Sequence, residues 1–349
     1  MSQDDALFTH PKPNPEQVAK THEMRRIEVA HDSGLSFGLP VLQGMATAVP
    51  TTHVPHEHGR PEPLALFGLS ADPGAPESPR LVVCAQTLEW EVDPLEWLRW
   101  LWVKEGWIVG LAQTHPGPGG PRYELAALKT VDGTVMVRRT MAIRSGPRLV
   151  RCDASAPMEV WAQWHDALWW SLDGFHLGRA APGSIEEMVV REGPLLGFAT
   201  PGSWDARGQG TEEEGMAWAM QPVRDVQRGA AIKVHAQRLE SAPPAELRRA
   251  SLWREMRESG SAVGAVLTAS RAEFAELVPG WVGQWQAAVQ MSKGDGVVVL
   301  VQRESDGVAL DYVLTAPAAG TEHVDWMRAT RALDVVIATS LPNPPRVAD

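Results

Sequence analysis

Two stretches of this chain spell out the same strand-to-helix unit, and that repetition limits the possible folds more than any other feature. Residues 81–107, LVVCAQTLEWEVDPLEWLRWLWVKEGW, place an apolar run with Val82, Val83 and Cys84 ahead of an Asp93-Pro94 break and an amphipathic segment. The pattern predicts a buried strand entering a helix, with Asp93 as N-cap and Pro94 at the first helical position. Residues 231–258, AIKVHAQRLESAPPAELRRASLWREMRE, repeat the plan: Val234–Glu240 matches Val83–Glu89 at five of seven positions, and Trp253 falls on Trp102. Pro244 opens the second helix as Pro94 opens the first.

Two further blocks echo in the same order. Upstream, Gly34 to Pro40 and Leu195 to Pro201 are apolar runs with a Phe three residues before a Pro. Downstream, Tyr123–Ala156 and Gln286–Ala316 are strand meanders broken by Asp132-Gly133 and Asp306-Gly307 turn signals, each leading through Pro157 or Pro317 into a closing helix. Collinear echoes at this spacing predict an internal duplication, with two domains rather than a solenoid. The expected division is a flexible arm at 1–25, a first domain at 26–177, a linker at 178–193 with a helical turn at 185–189, a second domain at 194–341 and a tail at 342–349. The expected class is α+β, two α/β/α sandwiches, each a central antiparallel sheet flanked by helices.

Charge narrows the partners. With 32 Lys and Arg against 43 Asp and Glu the net charge is −11, and no basic run interleaved with aromatics occurs, which argues against a nucleic-acid groove or an anionic membrane surface. The opening residues MSQDDALFTHPKPNPEQ lack a positive segment followed by an apolar one, and no 18-residue apolar span exists, so a cytoplasmic product without stable membrane insertion is expected. Two cysteines suit a reducing compartment: Cys84 reads as a small buried hydrophobe, and a Cys84–Cys152 disulfide is the alternative if their strands are neighbours.

Fifteen Trp against six Phe and two Tyr is the unusual number. The first helix carries Leu95, Leu98 and Trp102 on one face, while Trp97, Trp100 and Leu101 spread the apolar arc beyond an ordinary stripe. In the closing helix Trp161, Trp164, Leu168 and Leu172 make a regular stripe, with Trp169 and Trp170 outside it. Trp97, Trp100, Trp169 and Trp170 are therefore the candidate client-binding residues, with a large Trp core as the competing reading. In the second copy Arg248, Arg249, Arg254 and Arg257 stand where the first shows Trp or Leu.

Catalytic patterns are missing. Ser259-Gly260-Ser261 is no nucleophile elbow, and no phosphate-cradling glycine pattern opens a helix. His165 and Asp166 are adjacent on a helix and read as a solvated face, His235 as an interior or edge side chain, and Glu186-Glu187 and Glu212–Glu214 as solvated connectors. His53, His56 and His58 lie within six residues, but no paired ligand stands nearby, so a solvated loop is expected there. No catalytic residue, metal or cofactor is assigned.

The run Leu35–Pro40, followed by two strands, a helix, an antiparallel meander and a closing helix, resembles the PsbP-like sandwich. Within that group it is most similar to the EagR-type chaperones of bacterial type VI secretion, over about residues 27–175 and 193–340. That resemblance implies a dimeric chaperone shielding the apolar N-terminal segments of secreted effectors; here a fused tandem, a monomeric pseudo-dimer or a homo-oligomer, would take the dimer's place. Three readings follow: a non-catalytic adaptor or chaperone for an apolar client segment, a scaffold subunit of a secretion or envelope assembly, and an enzyme using the His53–His58 loop as a metal site.

Overall fold

The computed structural model describes residues 9–29, 35–50, 61–73, 75, 77–117, 120–178, 184–223, 230–258, 263–266, 285–291, 296–317 and 323–343. The chain divides into two compact units, Met1–Glu89 with Pro94–Ile185, and Trp90–Asp93 with Glu186–Asp349.

The first unit opens with helix α1 (Pro15–Thr21), capped by the Asn14 side chain, then strands β1 (His22–Glu28), β2 (Ser36–Leu42), β3 (Ala46–Ala48), β4 (Glu62–Gly68) and β5 (Arg80–Thr87). Helix α2 (Pro94–Lys104) leads to β6 (Ile108–His115), β7 (Arg122–Val131), β8 (Thr134–Ser145) and β9 (Arg148–Pro157), and helix α3 (Met158–Asp173) to β10 (His176–Leu177). The second unit runs through β11 (Met188–Glu192), β12 (Leu196–Pro201), β13 (Trp204–Thr211), β14 (Gly215–Pro222) and β15 (Ala231–Arg238) to helix α4 (Ala245–Glu258). It continues with β16 (Val263–Val266), β17 (Trp285–Met291), β18 (Gly296–Ser305), β19 (Val308–Pro317), helix α5 (His323–Thr339) and β20 (Leu341–Pro342).

Each unit is built on one seven-stranded and one three-stranded antiparallel sheet. The orders are β3-β4-β5-β9-β8-β7-β6 with β1-β2-β10, and β13-β14-β15-β19-β18-β17-β16 with β11-β12-β20. Strand for strand the second list is the first shifted by ten, so the duplication read from short sequence echoes holds through the whole topology. Register repeats as well: Arg80 pairs with Ser155 and Cys84 with Arg151 in the first unit, as Ala231 pairs with Thr315 and His235 with Asp311 in the second. The Asp-Gly turns form as expected, with Asp132 and Gly133 at φ 47° and 81° and Asp306 and Gly307 at 49° and 74°, the positive values a two-residue hairpin of this twist requires.

Each large sheet has two differently dressed faces, because side chains alternate along a strand. In the first unit α3 and the three-stranded sheet cover one face, and their core joins Phe37, Leu39 and Val41 to Val83, Met141, Val150, Trp161 and Leu168. Helix α2 lies over the other face, against β6 and β7. The sandwich architecture expected from sequence is thus the one observed, with the central sheet flanked by helices.

Two boundaries differ from expectation. Residues 9–25 are not a free arm, since α1 and most of β1 are built from them. The linker at 178–193 ends in a strand, β11, rather than in a helical turn, because Met188–Glu192 pairs along β12 from Met188↔Pro201 to Glu192↔Gly197. Strand β13 runs Trp204–Thr211 as a polar edge. The His53–His58 loop lies outside the described residues. Both cysteines are buried and free: Cys84 faces Arg151 and Cys152 faces Val83, so the two thiols point to opposite sides of the sheet. No helix of the described residues is long and apolar enough to cross a membrane.

Candidate functional site

The Trp-rich helix explains itself once the surface beneath it is seen. Sheet positions facing α2 include Arg138 and Thr140 of β8 and Arg151 and Asp153 of β9, a polar floor rather than an aliphatic one. Arg151 pairs with Asp153 at 3.2 Å, and Thr140 donates to the same carboxylate, so the buried charges are matched. Indole faces suit guanidinium planes. The Arg138 guanidinium lies 4.2 Å from the centre of the Trp107 ring and 5.5 Å from that of Trp102.

Trp107 reaches that position through the helix end. Gly106 takes φ 84° with its N–H on Val103 O, and Trp107 N–H bonds Trp102 O, the two reciprocal bonds that turn a chain out of a helix. Cys84, on the same face, has its thiol pushed up to about 12 by burial and by the Asp153 charge, which makes it inert near neutrality.

The four Trp chosen as surplus surface are accommodated by the first unit itself. Trp97, Trp169 and Trp170 are buried, and Trp100 is half-buried, packed on Trp97 at 5.0 Å between centroids with the Lys104 ammonium 4.9 Å from its ring. The expectation of indole area beyond what the interior can hide is corrected. The helical pattern showed how much aromatic surface there was, and left out that the opposite sheet face is rich in arginine.

On the α2 side a cleft of about 560 Å³ lies beside the C-terminal end of the helix. Trp107, Met136 and Val131 give it apolar walls, with Arg80, Lys129 and Arg138 set against Glu77, Glu105 and Asp132. Lys129 Nζ donates to Glu105 O at 2.7 Å, and Arg80 Nε donates to Ser155 Oγ at 3.1 Å. Val131 is exposed, and so is Val103 on α2.

A second polar constellation sits on the α3 face. Glu124 of β7, fully buried, receives Arg139 of β8 on Oε1 at 2.6 Å from both Nε and Nη2. Its Oε2 is met by Gln113 at 2.8 Å, by His10 Nε2 at 2.8 Å and by His115 Nε2 at 2.6 Å. Burial opposes ionisation of Glu124, but the Arg139 charge and these hydrogen bonds outweigh it and hold its pKa at about 2. Arg139 also donates to Thr9 O at 2.7 Å and to His165 Nε2 at 3.1 Å, and its guanidinium stacks 4.0 Å from the Trp169 ring centre. His165 is buried, with Nδ1 2.9 Å from Asp166 Oδ1, so the solvated helix face expected there is instead part of a core network. Burial lowers its pKa, which makes the neutral imidazole with a proton on Nδ1 the consistent form.

None of His10, Gln113, His115, Glu124 and Arg139 was singled out in sequence. One signal was available: Glu124 and Arg139 alternate with core residues on predicted strands, where a charge points inward only if it is partnered. The second copy shows that the fold does not demand them. Register places Val299, a core residue, at the position of Arg139, and Ala231 and Val298 at those of Arg80 and Arg138. At these positions the two copies therefore differ. Glu186, read as a solvated connector, accepts instead from Ser203 N at 2.9 Å within the second unit.

No family model matches the chain, and no curated protein matches it. Among solved structures it is similar to the solution structure of cyanobacterial PsbP, CyanoP, from Synechocystis sp. PCC 6803, at 12% identity and a TM-score of 0.33, over 44% of this chain and 92% of that one. It is also similar to LpqN, involved in cell envelope biogenesis of Mycobacterium tuberculosis, at 16% identity and a TM-score of 0.33, over 46% and 95%. A third likeness, to the immunity protein TplEi of the T6SS from Pseudomonas aeruginosa, has 10% identity and a TM-score of 0.23, over 88% and 95%.

Proposed function

We propose that this chain is a non-catalytic protein-binding adaptor whose first unit receives a segment of a client protein in the cleft beside α2. The observation that carries this reading is the cleft's wall chemistry: exposed Val131 lies beside the buried Trp107 and Met136, and six charged side chains of both signs ring them. The resemblance to EagR-type chaperones supplies the client class, the apolar N-terminal segment of a type VI secretion effector, and a cytoplasmic setting. Docking is assigned to the cleft and not to Trp97, Trp169 or Trp170, which are already packed.

The test is site-specific photo-crosslinking in the cell of origin. A photoreactive residue at Val131 or Thr134 is expected to capture an effector with an apolar N-terminal segment, identified by mass spectrometry. The same probe at Leu247, exposed on α4, is expected to capture none. Arg138→Glu should remove the cleft adducts. Equal capture at Leu247, or none at either cleft position, refutes the assignment.

A further inference from the structure

Three side-chain nitrogens crowd around Glu124 Oε2. Gln113 Nε2 is 3.0 Å from His10 Nε2 and 3.1 Å from His115 Nε2, while all three nitrogens also contact the same carboxylate oxygen. A neutral imidazole nitrogen either donates or accepts. If both His Nε2 atoms donate to Glu124, three donors converge on one oxygen, with the Gln113 nitrogen 3.0 and 3.1 Å from the two imidazole nitrogens. If instead they accept from Gln113, each presents a lone pair to a carboxylate held by Arg139. Turning the Gln113 amide over places its carbonyl oxygen against that carboxylate. Every assignment crowds like groups within hydrogen-bond distance.

A cation removes the conflict, because it lets every one of these atoms offer a lone pair. We infer that His10 Nε2, His115 Nε2 and Glu124 Oε2, which lie within 4.8 Å of one another, form a binding site for a divalent transition ion of the zinc class. Gln113 Oε1 completes four ligands once the amide is reversed. Two imidazoles with oxygen donors and no thiolate suit Zn²⁺, Co²⁺, Ni²⁺ or Cu²⁺ better than Ca²⁺ or Mg²⁺. Surrounding groups already hold two of the ligands: Arg139 holds the other oxygen of Glu124, and Trp169 packs edge-on against His10 at 4.8 Å. The apolar residue at the Arg139 position of the second copy shows that this elaborated corner is not required to close the sandwich.

The ligands also define what the ion would do. His115 ends β6, Glu124 lies on β7, and His10 comes from the segment before α1, so the ion clamps the N-terminal segment onto the edge of the first sheet. The site is on the α3 face, opposite the client cleft, and its failure would leave the docking proposal untouched.

Calorimetric titration of the full chain with ZnCl₂, and absorption spectra on adding CoCl₂, test the assignment. One equivalent of Zn²⁺ is expected to bind, with visible Co²⁺ bands of four-coordinate intensity. His10→Ala and His115→Ala should each weaken binding by at least about 10-fold. His10 is on the surface, so its substitution leaves the fold intact. Replacing His53, His56 and His58 together by Ala should leave the affinity unchanged. No binding by the parent chain, binding insensitive to both single substitutions, or loss of binding only in the triple variant would overturn the site.

Discussion

In the first unit α2 lays Trp97 and Trp102 over a sheet face carrying Arg138, Thr140, Arg151 and Asp153; in the second, α4 lays Arg248 and Trp253 over Val298, Leu300, Val313 and Asp311. The pairs occupy the same register, so the polar and apolar partners have traded places across one interface: Arg138, Thr140 and Asp153 of the first sheet answer to Val298, Leu300 and Val313 of the second. Cys84 opposite Arg151 answers to His235 opposite Asp311, and here the sheet charge itself has changed sign. What the layer requires is complementarity between helix and sheet, and neither element's composition is fixed alone. Surplus tryptophan on a helix is therefore weak grounds for an exposed docking face until the opposing strand positions have been counted.

The largest expected effect comes from stranding a charge. Arg248 donates to Asp311 at 3.0 Å and to Pro243 O at 2.7 Å, and Gln302 donates to the same carboxylate at 2.8 Å. Arg248→Met leaves a buried carboxylate with one neutral partner, at a cost of about 3–5 kcal/mol. The equivalent change in the first copy, Trp97→Met, removes packing without exposing a charge and should cost less. Urea unfolding of the full chain, with hydrogen exchange read on β15 and β5 amides, compares the two. If Trp97→Met is the more damaging, the exchange of polarity between the copies does not govern their stability.

A smaller effect comes from the arginine-on-indole contact and the 3.8 Å ion pair of Arg138 with Glu105 that accompanies it. Arg138→Met keeps most of the side chain's volume but removes the cation over Trp107 and Trp102, and should destabilise the first unit by about 0.5–2 kcal/mol. Arg138→Lys restores charge without the flat guanidinium and should fall between the two. A stability equal to the parent in both variants would mean that the rings pack as well against any chain of that length.

Much of this architecture was legible because its signals are local. The Asp-Gly hairpins, the Pro94 start and Gly106 stop of α2, and the paired strand-to-helix units are written within short windows, where backbone preference and hydrophobic period act. The face of a strand that meets a given helix is not written that way. Residues 134–143, TVMVRRTMAI, announce a strand, but nothing local says that Arg138 lies under Trp107 while Arg139 turns to Glu124 on the opposite side. The candidate metal corner was hidden for the same reason at longer range. His10 meets Glu124 across 114 positions of sequence, and the segment carrying it read as a loose, proline-broken arm. Cys84 was placed correctly as a buried thiol, since burial follows from the apolar run around it.

The smallest effect tests the ladder position that differs most plainly between the copies. His235 is lowered below its ordinary pKa by burial, a cost that Asp311 and Glu255 only partly offset. A base whose folded pKa is depressed binds protons more readily when unfolded, so its contribution to stability is complete above about pH 6.5 and is lost as the pH falls from there through its folded value. Cys84, at the matching position, stays an uncharged thiol across that range. His235→Cys should therefore flatten the acid-side loss of protection of β15 amides between about pH 7 and pH 5. Burial depresses His22 and His165 as well, but both belong to the first unit, so the β5 amides should keep their acid response in the same variant. An unchanged slope in β15 would show that the second copy's acid sensitivity arises elsewhere, and that the thiol-to-imidazole exchange across this ladder is neutral to the fold.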